Sequence, residues 1–113
     1  GTNIIYAYGE KILLRSALLN LLKNAIEASP EHETVTVEIK VGSLIEICLR
    51  NAGAVPVEMR SRFFEKYATL GKRGGTGLGT YSARLLVETM SGSISLDFSD
   101  PDRTAVIVTM PVR

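Results

Sequence analysis

The sequence predicts an α+β two-layer sandwich, a mixed and mostly antiparallel sheet of about five strands with three helices on one face. Three observations lead to it. Segments that alternate apolar and polar residues occur as adjacent pairs, the mark of hairpins. Segments with helical spacing are inserted between those pairs, which puts helices over a mainly antiparallel sheet. Finally, 113 residues with 45% apolar content supply one core and leave no room for a second. The whole chain, 1–113, is therefore read as a single domain.

The elements follow in order. "NIIYAY" is a short β-like run, and "GEKILLRSALLNLLKNAIEAS" places Ile12, Leu13, Leu18, Leu19, Leu22, Ala25 and Ile26 at helical spacing. That long amphipathic helix ends near "SPEHE", where Pro30 blocks continuation. "TVTVEIKV" and "LIEICLRN" alternate about Gly42 and Ser43, which reads as a hairpin. Pro56 sits where a second helix, "VEMRSRFFEKY", begins. A polar, glycine-containing loop runs from Tyr67 to Gly77, and a third helix from Leu78 to Met90. "GSISLDFS" and "TAVIVTMP" close the chain as two strands about a turn at "DPDR".

Composition removes several functions. The net charge is +1 with both signs interspersed, so the basic stripe of a nucleic-acid binder is missing. Cys48 is the only cysteine, which excludes an internal disulfide and fits a reducing compartment. Its apolar surroundings predict a small buried residue rather than a reactive thiol. No apolar run is long enough to span a bilayer and no signal pattern opens the chain. The expectation is a cytoplasmic domain without direct membrane contact. A start at Gly1, with strand-like residues close behind, predicts that the chain was cut from something longer.

Two clusters carry the chemistry. "GGTGLGTYSARLL" holds four glycines in six residues and then runs into a helix. Unpaired amides and the positive end of the helix dipole make such a start an anion site, and bare backbone lets a phosphate approach. A plain turn is the competing reading. The spacing completes neither the dinucleotide fingerprint nor a P-loop, so a phosphate site here is of another kind. In "NLLKNAIEA", Asn20 and Asn24 are four apart and project from one helix face. A carboxamide oxygen suits a magnesium ion shared with phosphates. Equally, Asn24 can buttress a loop through its amide. Lys23 and Glu27 read as a solvated flank.

Together these stretches are identifiable. "NLLKNAIEAS", then "RNAGAVPVEMRSRFFEKYATLGKRGGTGLGTYSARLL", then "GSISL" and "DRTAVIVTMP" resemble, in order and spacing, the N, G1, F and G2 boxes of the catalytic ATP-binding domain of bacterial sensor histidine kinases. That family has the Bergerat ATP-binding fold and belongs to the group that includes the gyrase and MutL ATPase domains. The resemblance runs from about Gly9 to Pro111. It implies that Asn24 coordinates Mg²⁺ bridging the ATP phosphates. Asn20 takes the place one turn earlier, where hydrolytic relatives have a general-base Glu. An amide there cannot accept a proton from water, which favours phosphoryl transfer to a partner over hydrolysis. Gly53 and Val55 fall in G1 under the adenine, and Phe64 and Tyr67 match the F-box aromatics of a mobile lid. Gly75, Gly77 and Gly79 match G2, with Thr76, Leu78, Thr80 and their amides on the phosphates. Lys72 and Arg73 lie in the lid within reach of the polyphosphate, or simply in solvent.

The sequence departs from the family pattern at three places. Asn51 stands where an Asp usually accepts a hydrogen bond from the adenine amino group. Losing that charge weakens the bond by about 1 kcal/mol. The second G1 glycine is replaced around Ala54 and Val55. Thr104 resembles the threonine of a closing Gly-Thr pair, but Arg103 stands where the glycine is usual. His32, the only histidine, lies in a turn after Pro30 and reads as a solvated loop residue rather than a phosphoacceptor. The resemblance thus implies ATP and Mg²⁺ as ligands. It also implies a separate helical dimerisation domain carrying the acceptor histidine, and through it a response regulator as partner. The isolated domain is expected to be monomeric. Two other readings stay open: an anti-sigma-type serine kinase of the same superfamily, which is expected to carry a carboxylate at position 20, and a non-catalytic module that responds to nucleotide.

Overall fold

The computed structural model describes residues 11–53, 55, 57–65 and 79–111. Helix α1 (Lys11–Ala28) precedes a hairpin of β1 (Thr36–Val41) and β2 (Leu44–Ala52). A single helical turn, α2 (Val57–Arg60), comes next, then helix α3 (Gly79–Thr89) and the strands β3 (Ser93–Asp97) and β4 (Arg103–Pro111). The sheet runs β1-β2-β4-β3, and its three strand pairs are all antiparallel. Four strands are described, one fewer than expected. The strand expected at residues 3–8 lies outside the described residues.

The period of two in β2 and β4 decides the layers. Ile45, Ile47 and Leu49 pair with Met110, Val108 and Val106, and all six are buried on one face. α1 and α3 lie on that face, adding Ala17, Leu21, Ala83 and Val87 to the same core. The opposite face carries Glu38, Lys40, Glu46 and Arg50, with an ion pair from Arg50 to Glu38 at 3.3 Å. Cys48 is buried there as a free thiol, and burial pushes its pKa up, as expected for an inert residue. Among the described residues, no helix is long and apolar enough to cross a membrane.

The buried stripe of α1 is rotated from the one its spacing suggests. Ala17, Leu21 and Ala25, stacked at intervals of four, are the buried line. Leu13, Leu18 and Leu22 flank it half-buried, while Ile12, Leu19 and Ile26 are exposed. A helix apolar on most of its circumference leaves the choice of face to its neighbours. The small alanines at 17 and 83, both fully buried in the core that α1 and α3 share, let the two helices approach closely, and that contact fixes the rotation. The helix ends where expected: the Ser29 hydroxyl donates to the Ala25 carbonyl at 2.9 Å, just before Pro30.

The second helix is much shorter than the run to Tyr67 that its sequence suggests. Beyond Arg60 the chain tightens into turns, with Arg62 N–H bonded to Met59 and Glu65 N–H to Arg62. Tertiary contacts prevail over helical continuation here. Phe63 is pulled into the core, and its carbonyl accepts from the Thr80 hydroxyl of α3.

Helix α3 closes with a Schellman motif. Gly92 N–H donates to Val87 C=O at 2.9 Å and Ser91 N–H to Glu88 C=O at 3.0 Å, with Ser91 left-handed at φ 63. A side chain at that position carries a steric cost that glycine does not. Ser91→Gly is therefore expected to raise stability by about 0.5 kcal/mol, after the entropy that glycine adds to the unfolded chain is set against the gain. Urea unfolding reads it as a higher midpoint at unchanged slope.

Between β3 and β4, Asp97 accepts from Ser99 N–H at 2.8 Å, and Asp100 accepts from Asp102 N–H at 2.9 Å. These carboxylates shape the turn. The Ser99 backbone and hydroxyl bonds hold the Asp97 carboxyl below its ordinary pKa. Because the folded value is depressed, the stabilisation is present above the unfolded pKa and is lost as pH falls through the folded one. An NMR titration of Asp97 should therefore show a midpoint below that of an unstructured peptide, and a normal midpoint would contradict the bond.

Candidate functional site

The end of β2 and the start of β4 form the best-defined part of the site. Asn51 and Thr104 are cross-strand neighbours in the sheet, and both are buried. Just beyond, Gly53 turns at φ +103, a conformation for which glycine is suited. Both its peptide groups are held. Its N–H donates to Asp102 C=O at 2.9 Å, and its C=O accepts from the Thr104 hydroxyl at 2.7 Å. The turn also lies against the end of α1, since a Cβ on Gly53 would come 3.6 Å from the Ala28 carbonyl. Ala28 is one turn beyond Asn24, so the carboxamide face of α1 ends beside this turn.

Asn51 is 4% exposed, so its orientation matters. Nδ2 donates to the Ala52 carbonyl at 2.8 Å. A carbonyl only accepts, so the amide nitrogen must face it and the oxygen must point elsewhere. Thr104 also has a defined task, because its hydroxyl ties the Gly53 carbonyl to β4. Thr104→Val is expected to cost about 1 kcal/mol, the scale of one part-buried bond, and Thr104→Ser much less. Chemical denaturation of the two variants measures the difference.

The segment after Gly53 is fixed by side chains that take backbone carbonyls. Val55 is buried in the core. Its carbonyl accepts from Arg60 Nε at 3.3 Å, and the Arg60 guanidinium lies 4.4 Å from the centre of the Phe98 ring. Phe64 is half-buried and meets Phe63 edge to face at 4.9 Å. The Phe63 carbonyl accepts from Thr80, the second residue of α3. Neither Arg60, Phe98, Phe63 nor Asp102 stood out in the sequence. Arg60 follows an ordinary helical pattern, and a backbone acceptor leaves no residue-type signal.

Asn20 and Asn24 are half-buried and stacked on one face of α1, as their spacing requires. Among the described residues there is no group of three or more His, Cys, Asp or Glu that could hold a metal. The donors on α1 are neutral carboxamide oxygens. That set fits Mg²⁺, which keeps waters and takes most of its charge partners from a phosphate ligand, and does not fit an ion held by protein alone. Gly79 opens α3 with nothing within 4 Å of where its Cβ would be, so side-chain bulk does not crowd that end. Tyr67, Lys72, Arg73, Gly75, Thr76, Gly77 and Leu78 lie outside the described residues.

The chain is similar to known proteins over nearly its whole length. Residues 9–113 match the family model described as histidine kinase-, DNA gyrase B-, and HSP90-like ATPase. The sensor protein DegM of Bacillus sp. (strain B21-2) is 30% identical over 108 residues, covering 93% of this chain and 28% of that protein. Sensor histidine kinase CusS of Escherichia coli (strain K12) is 29% identical over 110 residues, covering 91% of this chain and 23% of that protein. The chain thus spans only about a quarter of these relatives. Among solved structures, the mycobacterial sensor histidine kinase MprB superposes with a TM-score of 0.83 at 28% identity, covering 93% of this chain and 74% of that one. The nucleotide-free catalytic domain of histidine kinase ThkA gives 0.79 at 25% identity, covering 91% and 68%.

Proposed function

Because the chain belongs to the histidine kinase-, DNA gyrase B- and HSP90-like ATPase family, we propose that it is the ATP-binding catalytic domain of a sensor histidine kinase, which binds Mg-ATP and donates the γ-phosphoryl group to a histidine on a separate helical domain. ATP binding follows from the family. The names of the relatives support the kinase reading. The observation that carries it in this chain is the carboxamide pair on α1. With an amide at Asn20 in place of a carboxylate, the chain presents no general base there to activate water. Transfer to an external imidazole needs none from this side, because the imidazole brings its own lone pair. Catalysis is then positioning and charge neutralisation.

Each residue has a role in that scheme. Asn51, with Nδ2 engaged by Ala52, turns its oxygen to accept from the adenine amino group. Gly53, pinned through both peptide groups, provides the bare backbone beneath the base. The first amides of α3 lack helical partners and are available to phosphate oxygens. Asn24 would hold Mg²⁺, which when bound neutralises charge on the phosphate oxygens. The helical phosphoacceptor domain and a response regulator are the partners this reading requires.

Calorimetric titration with a non-hydrolysable ATP analogue, in Mg²⁺ and then in EDTA, tests the site. Binding that strengthens with Mg²⁺ is expected, and no binding at millimolar ligand in either buffer would refute the reading. Adding the helical domain with labelled ATP tests the transfer. An acid-labile phosphohistidine supports it, an acid-stable phosphoserine would assign a serine kinase, and no label would assign a nucleotide-responsive module.

A further inference from the structure

We propose that Thr80 is a positioning residue for the phosphate end of the site: it ties the first turn of α3 to the turn after α2, and sets where the α3 amides stand without itself touching the nucleotide. The inference rests on the reading above and deepens it. Thr80 is 6% exposed, and its hydroxyl donates to the Phe63 carbonyl at 2.8 Å across 17 residues of chain. Phe63 is 6% exposed and edge-on to Phe64. The bond is therefore enclosed, with no water to replace it if it is lost.

The chemistry of the hydroxyl excludes the alternative of direct phosphate contact. Phosphate oxygens accept, so a threonine side chain meets one only by donating its single proton. That proton is already given to Phe63. Thr80 could serve a phosphate only by leaving a buried carbonyl unpaired, so its contribution is made through the position of the helix it belongs to. Among the described residues this is the one hydrogen bond between the 57–65 segment and α3. The rest of that segment is tied elsewhere, Val55 to Arg60 and Arg60 to Phe98. Breaking the Thr80 bond leaves those ties in place and frees only the α3 side.

The test compares Thr80→Val, which keeps the shape and loses the proton, with Thr80→Ser, which keeps the proton. Each is titrated with the Mg²⁺ complex of a non-hydrolysable ATP analogue and, by NMR, with adenosine, and thermal midpoints are recorded alongside. Thr80→Val is expected to weaken the triphosphate at least about tenfold, the scale of one buried bond, and adenosine less than about twofold. Thr80→Ser should recover most of the triphosphate affinity. Should Thr80→Val fail to fold, Thr80→Cys carries the comparison, since a thiol of similar size donates only weakly. The proposal is overturned if the variant lacking the donor binds the triphosphate as tightly as the unsubstituted chain whatever its midpoint, or if both ligands weaken in parallel. Absence of binding by the unsubstituted chain would overturn the functional reading itself, and this inference with it, before any variant is made.

Discussion

Gly92→Ala should lower the stability of this domain by about 3 kcal/mol, the upper part of the range for forcing an atom into a packed interior. An added Cβ would stand 2.6 Å from both the Thr109 carbonyl oxygen and the Met110 sulfur, and 3.0 Å from Val87 Cγ1. None of these neighbours can yield easily. Thr109 is paired with Ser93 in the sheet, Met110 and Val87 are fully buried, and Gly92 N–H is the closing bond of the α3 cap. The backbone must therefore shift at the junction of helix and strand. For a chain of this size the effect corresponds to a fall in thermal midpoint of roughly 10–15 °C. An Ala variant melting within a few degrees of the unsubstituted chain would show that the junction relaxes at little cost. The contrast with its neighbour is informative, since Ser91→Gly is expected to act in the opposite direction two atoms of backbone away.

Asn24→Ala carries the second large effect, on binding rather than folding. If Asn24 holds the metal, its loss should remove most of the Mg²⁺-dependent part of nucleotide affinity, at least about tenfold. Affinity measured in EDTA should change little. The expected signature is a variant whose two titrations, with metal and without, converge on the weaker value. A variant that keeps the full difference between the two buffers would take Asn24 out of the metal's coordination and return it to the role of a loop buttress. Asn20→Asp is a useful companion, because it restores a carboxylate where a general base would stand. A gain in ATP hydrolysis in that variant would support the argument that the amide disfavours attack by water.

Much of this protein could be read from residue order. The long helix, the hairpin about Gly42, the third helix and the last two strands follow from periodicity, and each stands within a few residues of its expected bounds. The stacking of Asn20 on Asn24 follows from helical spacing alone. The family, too, was legible, because four motifs in fixed order, three of them read from asparagines and glycines and one from aromatics, constrain far more than any one of them. These features are local or depend on the order of motifs, so one chain read in order contains them.

Tertiary structure decided what depends on partners distant in sequence. Which apolar line of α1 is buried was settled by the close approach of α3, since Ile12, Leu19 and Ile26 are as apolar as the residues that won. The second helix stopped at Arg60 as the core drew in Phe63 and Thr80 claimed its carbonyl. Gly53 is held by Asp102 and Thr104, about fifty positions later, through backbone groups that no residue type announces. Periodicity and motif order are properties of one segment or of their succession, so the sequence determined them by itself. Burial competition, the Thr80 bond to Phe63 and the bonds that hold Gly53 exist only when two remote segments meet, and for that reason the folded chain alone could decide them.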